Sequence, residues 1–165
     1  MTALPRNLNH DIRRQDRVLD EQSMYRLLNE GEYGFLALQA EEGGGYGIPV
    51  NYVWDDAAAC LYIHCAPQGR KLRCLAAEPR CTFCVVGRTN PLPAKFTTEY
   101  ESVQLHGTAR IGLPDEERMH ALHLIVAKYC PGLEEVGAKF AQGSFHRTEI
   151  IRLDPAGISG KAKVR

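Results

Sequence analysis

One short stretch of the sequence combines residue types that bind phosphate. His64-Cys-Ala-Pro-Gln-Gly-Arg-Lys71 runs from the end of a predicted strand through a Pro and Gly turn to two adjacent cations, Arg70 and Lys71. These cations stand at the predicted start of a helix, where backbone N–H groups and the helix dipole also favour an anion. The stretch therefore predicts a site for one phosphomonoester, although a solvated first helical turn would have the same sequence.

Two further sets of polar residues carry less specific chemistry. His64 has an ordinary pKa of about 6.5 and suits proton transfer near neutrality, yet a histidine at a strand end also caps backbone carbonyls. Asn51 and Tyr52 follow Pro49 in a predicted strand, where amide and backbone groups bind the edge of a heterocycle or only pack in the sheet. The residues alone leave both alternatives open.

The spacing of cysteine and histidine predicts no metal site. Cys81 and Cys84 lie three apart in a predicted strand and face opposite sides, so they cannot share a tetrahedral zinc. His120 and His123 lie on one helix flank without a further ligand, and we expect them to be solvated. We expect the six cysteines to be reduced core thiols. The motifs G-x-S-x-G, G-x-G-x-x-G, H-E-x-x-H and the P-loop are all missing from the sequence.

The elements that must position these residues are mostly strands. Strands are predicted over 33–39, 46–54, 60–65, 80–86, 102–111 and 149–153, and helices over 21–30, 69–77, 133–140 and after Pro114. The segment 90–93 is predicted as a loop, and a Gly and Lys tail follows the last strand. Most connections have hairpin length, which favours a mainly β (α+β) fold, an antiparallel sheet or barrel with peripheral helices.

Length and charge exclude several classes of protein. The 165 residues fit an N-terminal arm over 1–18 and one domain over 19–165. Lys and Arg number 20, as do Asp and Glu, so the net charge of zero supplies no broad positive field for nucleic acid. No apolar run reaches the roughly 18 residues of a membrane span or forms a secretory signal. We expect a cytoplasmic protein with neither nucleic-acid nor membrane partners.

A series of motifs in a fixed order is similar to one known family. The motifs are Arg14-Gln-Asp-Arg17-Val, Gly31-Glu-Tyr-Gly-Phe-Leu36, Tyr46-Gly-Ile-Pro-Val-Asn-Tyr52, Leu61-Tyr-Ile-His64 with Gly69-Arg-Lys71, Tyr100-Glu-Ser-Val103 and Ile158-Ser-Gly-Lys161-Ala. Over residues 12–161 the sequence resembles the Nim (5-nitroimidazole resistance) group of the pyridoxamine 5'-phosphate oxidase-like FMN-binding split barrels. The resemblance implies a six-stranded antiparallel split β-barrel with peripheral helices, a homodimer, and FMN bound between the subunits.

The resemblance also implies roles for individual residues. Those expected to bind the cofactor are Pro49, Val50, Asn51 and Tyr52 along the isoalloxazine, His64 and Cys65 at a strand end beside it, Arg70 and Lys71 at the phosphate, and Ser102 on a strand near the flavin. His64 also lies by the family's active site. It is our candidate proton donor in the reduction of nitro groups on 5-nitroimidazoles or related small aromatic substrates.

The resemblance leaves alternatives to a reductase open. Some split-barrel relatives bind haem or deazaflavin, so the alternative is a flavin- or haem-binding protein without turnover, a carrier, a sensor or a haem-degrading member. His64 and the Cys130-Pro131 pair point only weakly to haem. The set of residues with which true pyridoxamine-phosphate oxidases hold the substrate phosphate has no match here, so vitamin B6 oxidation is not expected.

Overall fold

A computed structural model of the chain describes residues 4–163. The strands are β1 (Arg6–Asn7), β2 (Gly34–Gln39), β3 (Gly45–Val50), β4 (Val53–Asp55), β5 (Cys60–Cys65), β6 (Arg80–Leu92), β7 (Thr97–Arg110) and β8 (Glu149–Lys163). The helices are α1 (Glu21–Glu30), α2 (Arg70–Ala77), α3 (Asp115–Tyr129) and α4 (Glu134–Ser144). The predicted arm and tail include residues 1–3 and 164–165, which lie outside the described residues.

The strands form one sheet in the order β3-β2-β6-β7-β8-β5-β4, with antiparallel neighbours throughout this path, while β1 pairs with β8 in parallel. Four fully buried side chains lie opposite one another across the middle of the sheet: Leu36, Phe83, Leu105 and Ile158. Burying a side chain of this size contributes about 1.5–3 kcal/mol. This row forms the centre of the main core, and the predicted mainly β class with peripheral helices is confirmed.

A second core lies between β5 and the helix pair α3 and α4. The alternation of side chains along a strand directs Leu61 and Ile63 into the main core, and Cys60 and Tyr62 into the second. Ile125 of α3 packs in this second cluster. β5 is therefore covered on both faces until its last two residues.

The first helix begins and ends as the sequence predicts. Asp20 caps it, because its carboxylate accepts a hydrogen bond of 2.7 Å from the backbone N–H of Ser23. Met24, Leu27 and Leu28 form its buried face. Local signals alone fix both ends of this helix.

The predicted single strand over 46–54 is wrong, because the structure divides it into β3 and β4. The chain leaves the sheet ladder at 51–52, where the Tyr129 hydroxyl bonds to the backbone of Tyr52. A side chain from α3 thus replaces a strand partner at the break. The predicted common face of alternate residues nevertheless survives the break, because Ile48, Val50, Tyr52 and Trp54 all pack in or against the main core.

Two predicted strand ends are also wrong. β6 continues through the predicted loop to Leu92, because Pro91 pairs with Thr98 in a two-stranded ribbon, where proline is tolerated. β8 continues through the predicted tail to Lys163, paired with β7. Glycine weakens the interior of a strand, so its presence in 149–163 argues against a long strand. Gly160 is nevertheless required, because a Cβ there would lie 2.5 Å from Met24 Cγ.

The segment before α1 lies along β8. Arg6 pairs with Gly157, and the Asn9 side chain donates to the Leu19 carbonyl at 2.8 Å and accepts from the Gly160 N–H at 2.9 Å. Among residues 4–163, no helix is both long and apolar enough to cross a membrane.

Candidate functional site

The start of α2 presents two cations beside an open backbone turn. Gly69 precedes the helix with φ of 140°, and no atom of the described residues lies within 4 Å of the position that a Cβ would take there. Arg70 is exposed, and its guanidinium lies 4.5 Å from the centre of the Tyr46 ring. The same guanidinium donates a hydrogen bond to Glu42. Lys71 is half-buried.

His64 and Cys65 end β5 close to Lys71. Burial lowers the pKa of His64, and the nearby charge of Lys71 lowers it further. Burial raises the pKa of the Cys65 thiol, while the Lys71 charge acts in the opposite direction. The structure thus brings these three predicted residues together, with the imidazole and the thiol both favouring their neutral forms.

The break between β3 and β4 places Asn51 and Tyr52 near the same end of β5. Asn51 and Tyr52 directly precede Val53, which pairs with Tyr62 two residues before His64. The Asn51 side chain donates to the Glu32 carbonyl at 3.1 Å. Tyr52 is fully buried.

Tyr129 satisfies the backbone of Tyr52. The N–H of Tyr52 donates to the Tyr129 hydroxyl at 3.0 Å, and that hydroxyl lies 2.7 Å from the carbonyl oxygens of both Tyr52 and Glu32. The Tyr52 hydroxyl donates at 2.7 Å to the Leu28 carbonyl. At the break between β3 and β4, the backbone N–H, the backbone carbonyl and the hydroxyl of Tyr52 are therefore all hydrogen-bonded within the protein.

The remaining predicted residues lie on other parts of the sheet. Pro49 is exposed and lies opposite Phe35, whereas the next residue, Val50, faces the core and is half-buried. Ser102 lies opposite Val86 on β6 and Lys161 on β8. Pro49 and Ser102 occupy the same outer face of the sheet, because strand pairing preserves the alternation of sides.

Ser102 lies far along the sheet from His64 in one chain. His64 pairs with Ile150 and Ser102 with Lys161, near opposite ends of β8. A cavity of about 790 Å³ lies beside Ser102 and is lined by Arg26, Arg88, Thr89, Asn90, Glu99, Tyr100 and Glu101. The predicted site residues thus fall into two groups: Ser102 forms one, and the residues of 49–52, 64–65 and 70–71 form the other.

Comparison with known proteins decides the family. The family model described as pyridoxamine 5'-phosphate oxidase matches residues 20–162. The chain belongs to the pyridoxamine 5'-phosphate oxidase family. No curated protein matches the sequence.

Solved structures resemble this family member across most of its length. A candidate 5-nitroimidazole antibiotic resistance protein from Bacteroides thetaiotaomicron is 18% identical, with a TM-score of 0.71 over 88% of this chain and 86% of that one. A FAD-binding protein from Mesorhizobium loti is 23% identical, with a TM-score of 0.64 over 90% and 98%. A FAD- and haem-binding protein from Mycobacterium smegmatis is 17% identical, with a TM-score of 0.66 over 88% and 72%. These likenesses confirm the split-barrel fold.

The residues at α2 fit the phosphate of a flavin, the cofactor class of the pyridoxamine 5'-phosphate oxidase family. Gly69 leaves open space where any larger residue would place a Cβ, and two cations follow it. Unpaired N–H groups in the first turn of a helix favour an anion at the same point. The N-terminal end of α2 therefore offers both positive charge and open space to a phosphate.

Sequence reasoning missed several contacts of this family member's site. Glu42 and Tyr46, which both contact Arg70, come from the β2–β3 hairpin, which the sequence marks only as a turn and a strand. Lys128 lies with its Nζ buried, 3.9 Å from the centre of the Tyr52 ring, and finds no hydrogen-bond partner within residues 4–163. Burial lowers the pKa of Lys128 to about 8. Helical spacing marks Tyr129 as apolar, with no signal for its bonds to Tyr52.

His120 and His123 are both exposed, as predicted, but His120 also makes a contact that the sequence does not indicate. Its Nε2 lies 2.7 Å from a carboxylate oxygen of Asp55, which is buried. Burial alone would raise the pKa of Asp55, but hydrogen bonds from His120 and two backbone amides hold it below its usual value. Among residues 4–163, no group of three His, Cys, Asp or Glu side chains has the geometry to hold a metal ion.

Proposed function

We propose that the protein is a cytoplasmic FMN-dependent oxidoreductase that reduces nitro groups or related small aromatic substrates at the interface of a homodimer. The observation that carries the proposal is the meeting of Arg70 and Lys71 with the His64 end of β5. The fold shared with the Bacteroides thetaiotaomicron protein supports the nitro substrate class. Six free cysteines fit a reducing compartment. FMN, when bound, supplies the electron transfer.

The residues of the chain supply binding and proton chemistry. Arg70 and Lys71 hold the phosphate through charge-assisted hydrogen bonds, and the N–H groups of α2 add to them. His64 holds a proton on a ring nitrogen and delivers it as the substrate is reduced. The pKa of His64 is lowered, so the imidazole becomes mostly protonated only at a pH below the ordinary histidine pKa. We therefore expect the rate to rise as the pH falls.

The homodimer accounts for the separation of the two groups of site residues. Ser102 lies far from His64 in one chain, so it reaches a flavin beside His64 only from a second protomer. The outer face that carries Ser102 also exposes Phe35 and Val86. An uncovered apolar face of this kind is typical of an interface.

Flavin titration of the double variant Arg70→Ala with Lys71→Ala tests the phosphate site. Each charge-assisted bond contributes about 1.5–3 kcal/mol, so we expect FMN affinity to fall by several kcal/mol, about 100-fold or more. Arg73→Ala is the matched control, because Arg73 lies one turn later and pairs with Glu41. Unchanged FMN affinity in the double variant would remove the assignment.

The likeness to a FAD- and haem-binding protein supports a second function, cofactor binding without turnover. The absorbance spectrum of the purified protein distinguishes a flavin from haem. Oxidation of reduced nicotinamide in the presence of a nitro compound then distinguishes a reductase from a carrier. A Soret band that disappears in His64→Ala would support haem bound at His64.

His64→Ala tests the proton donor. We expect the variant to keep its FMN content and to lose about 100-fold in reductase rate, the lower end of general acid catalysis. The wild-type rate should increase toward acid pH with an apparent pKa below 6.5, and this limb should disappear in the variant. His106→Ala, which alters a histidine on β7, is the control. Equal rates in wild type and His64→Ala would contradict the role as proton donor and leave His64 as a residue that caps a backbone carbonyl.

A further inference from the structure

Two carboxylates from the β2–β3 turn form ion pairs with two arginines of α2. Arg70 donates a hydrogen bond to Glu42, and Arg73 Nε donates to Glu41 at 3.0 Å. Both arginines lie on one flank of the helix, one turn apart. One of them is the residue that we place at the cofactor phosphate.

We propose that Glu42 competes with the flavin phosphate for Arg70, so that binding of the cofactor breaks one of the two ion pairs that join the turn over 41–45 to α2. The inference rests on the proposed function, because it takes Arg70 as a phosphate ligand. A carboxylate and a phosphate present the same kind of anionic oxygen to a guanidinium. The chain thus carries its own weak occupant of the phosphate site.

Arg70 has a second contact that holds it in place when Glu42 leaves. Its guanidinium lies over the ring of Tyr46, 4.5 Å from the centroid. Tyr46 is itself fixed, because it pairs with Leu38 and packs against the main core. The exchange of Glu42 for phosphate therefore changes the partner of Arg70 while its stacking contact remains.

The turn that carries Glu42 has little packing to hold it on α2. Gly43 and Gly44 have φ of 90° and 83°, and nothing in the part of the chain that the structure describes lies within 4 Å of a Cβ placed on either residue. The backbone bonds of the turn, between Ala40 and these two glycines, lie within the turn itself. The turn is thus joined to α2 by two ion pairs, and the exchange at Arg70 would break the one made by Glu42.

The flavin phosphate should bind Arg70 more strongly than Glu42 does. The Glu42 side chain keeps 64% of its surface exposed and that of Arg70 keeps 44%, so solvent screens their ion pair. A phosphate gains the helix N–H groups and Lys71 as well. Within the described chain, Lys71 lies within 4 Å of no carboxylate, so only Arg70 must exchange partners.

Flavin titrations of the apo wild-type protein, Glu42→Gln and Glu41→Gln test the proposal. We expect Glu42→Gln to bind FMN about two- to fivefold more tightly than Glu41→Gln does, the range that corresponds to one exposed ion pair. Glu41→Gln removes the same charge from the same turn but leaves Arg70 paired, so it measures the general effect of charge. Riboflavin, which lacks the phosphate, should bind Glu42→Gln and Glu41→Gln equally.

Two further measurements make the mechanism specific. In an Arg70→Ala background, the advantage of Glu42→Gln over Glu41→Gln should disappear. Limited proteolysis within 41–45 should accelerate when FMN is added to the wild type, because the turn then keeps only one of its two ion pairs to α2.

Three results would overturn the proposal. Weaker FMN binding by Glu42→Gln would make Glu42 a residue that positions Arg70, and equal affinities of the two variants would leave only a general charge effect. In either case wild-type binding of FMN would still stand, so the proposed function would survive. If the wild type binds no FMN, the proposed function and this inference fail together.

Discussion

Both faces of the sheet formed by β2, β6 and β7 carry large apolar side chains, but only one face is covered. On the inner face, Leu36, Phe83 and Leu105 are fully buried. On the outer face, Phe35 and Val86 keep 46% and 55% of their surface exposed. An antiparallel sheet with one solvated face normally alternates apolar and polar residues, and here that alternation is incomplete.

The outer face also carries two residues expected at the flavin. Pro49 lies opposite Phe35, and Ser102 lies opposite Val86. Apolar exposure and expected cofactor contacts therefore coincide on one surface. The inner face stabilises the fold of one chain, and the outer face is the surface that we assign to a second copy.

Replacing a phenylalanine on each face gives the largest expected contrast. Phe83→Ala should lower the free energy of unfolding by about 3–5 kcal/mol, because it leaves a cavity in the main core. Phe83 is fully buried, with its ring 4.9 Å from that of Tyr52. Phe35→Ala should cost less than about 1 kcal/mol in the monomer. Urea unfolding at low protein concentration measures both.

The same pair of variants also reports on the second copy. At high protein concentration the cost of Phe35→Ala should grow, because subunit association stabilises the folded chain, while that of Phe83→Ala stays dominated by the core. A cost for Phe35→Ala that equals that of Phe83→Ala at low concentration would contradict the division between the faces.

A charge on the outer face should separate the subunits. Val86→Asp places a carboxylate in the proposed interface, and we expect the dissociation constant of the dimer to rise by about 100-fold or more. Sedimentation velocity across a range of concentrations measures the change. Gln142→Asp, on the exposed surface of α4, should leave association unchanged. A dimer that tolerates Val86→Asp would have its interface elsewhere.

Sequence predicts the covered regions better than the contacts between distant segments. The bounds of α1 and β5 follow from the Asp20 cap and from alternation over 60–65, which are local signals. The break after β3 depends on Tyr129, which lies 77 residues from Tyr52. No local pattern contains that hydroxyl, so the sequence predicts one strand where two exist.

The candidate site shows the same limit. Arg70 and Lys71 are predictable because they are adjacent and follow a Pro and Gly turn. Glu42 lies 28 residues from Arg70, and only the packing of α2 on the β2–β3 hairpin joins them. The glycines of β8 make this strand hard to predict for a related reason. Glycine is needed there because other segments, such as the one that contains Met24, pack closely against the backbone.

The smallest expected effect tests whether the outer face completes the site. Ser102→Ala should weaken FMN binding by about fivefold, the value of one neutral hydrogen bond. If Ser102 acts from the partner, the same change in the Val86→Asp background should cause no further loss, because the subunits are already separate. Thr108→Ala, an exposed residue on the same strand, is the control. An equal loss in both backgrounds would place Ser102 in the site of its own chain, and the outer face would then be an interface without a share in the cofactor.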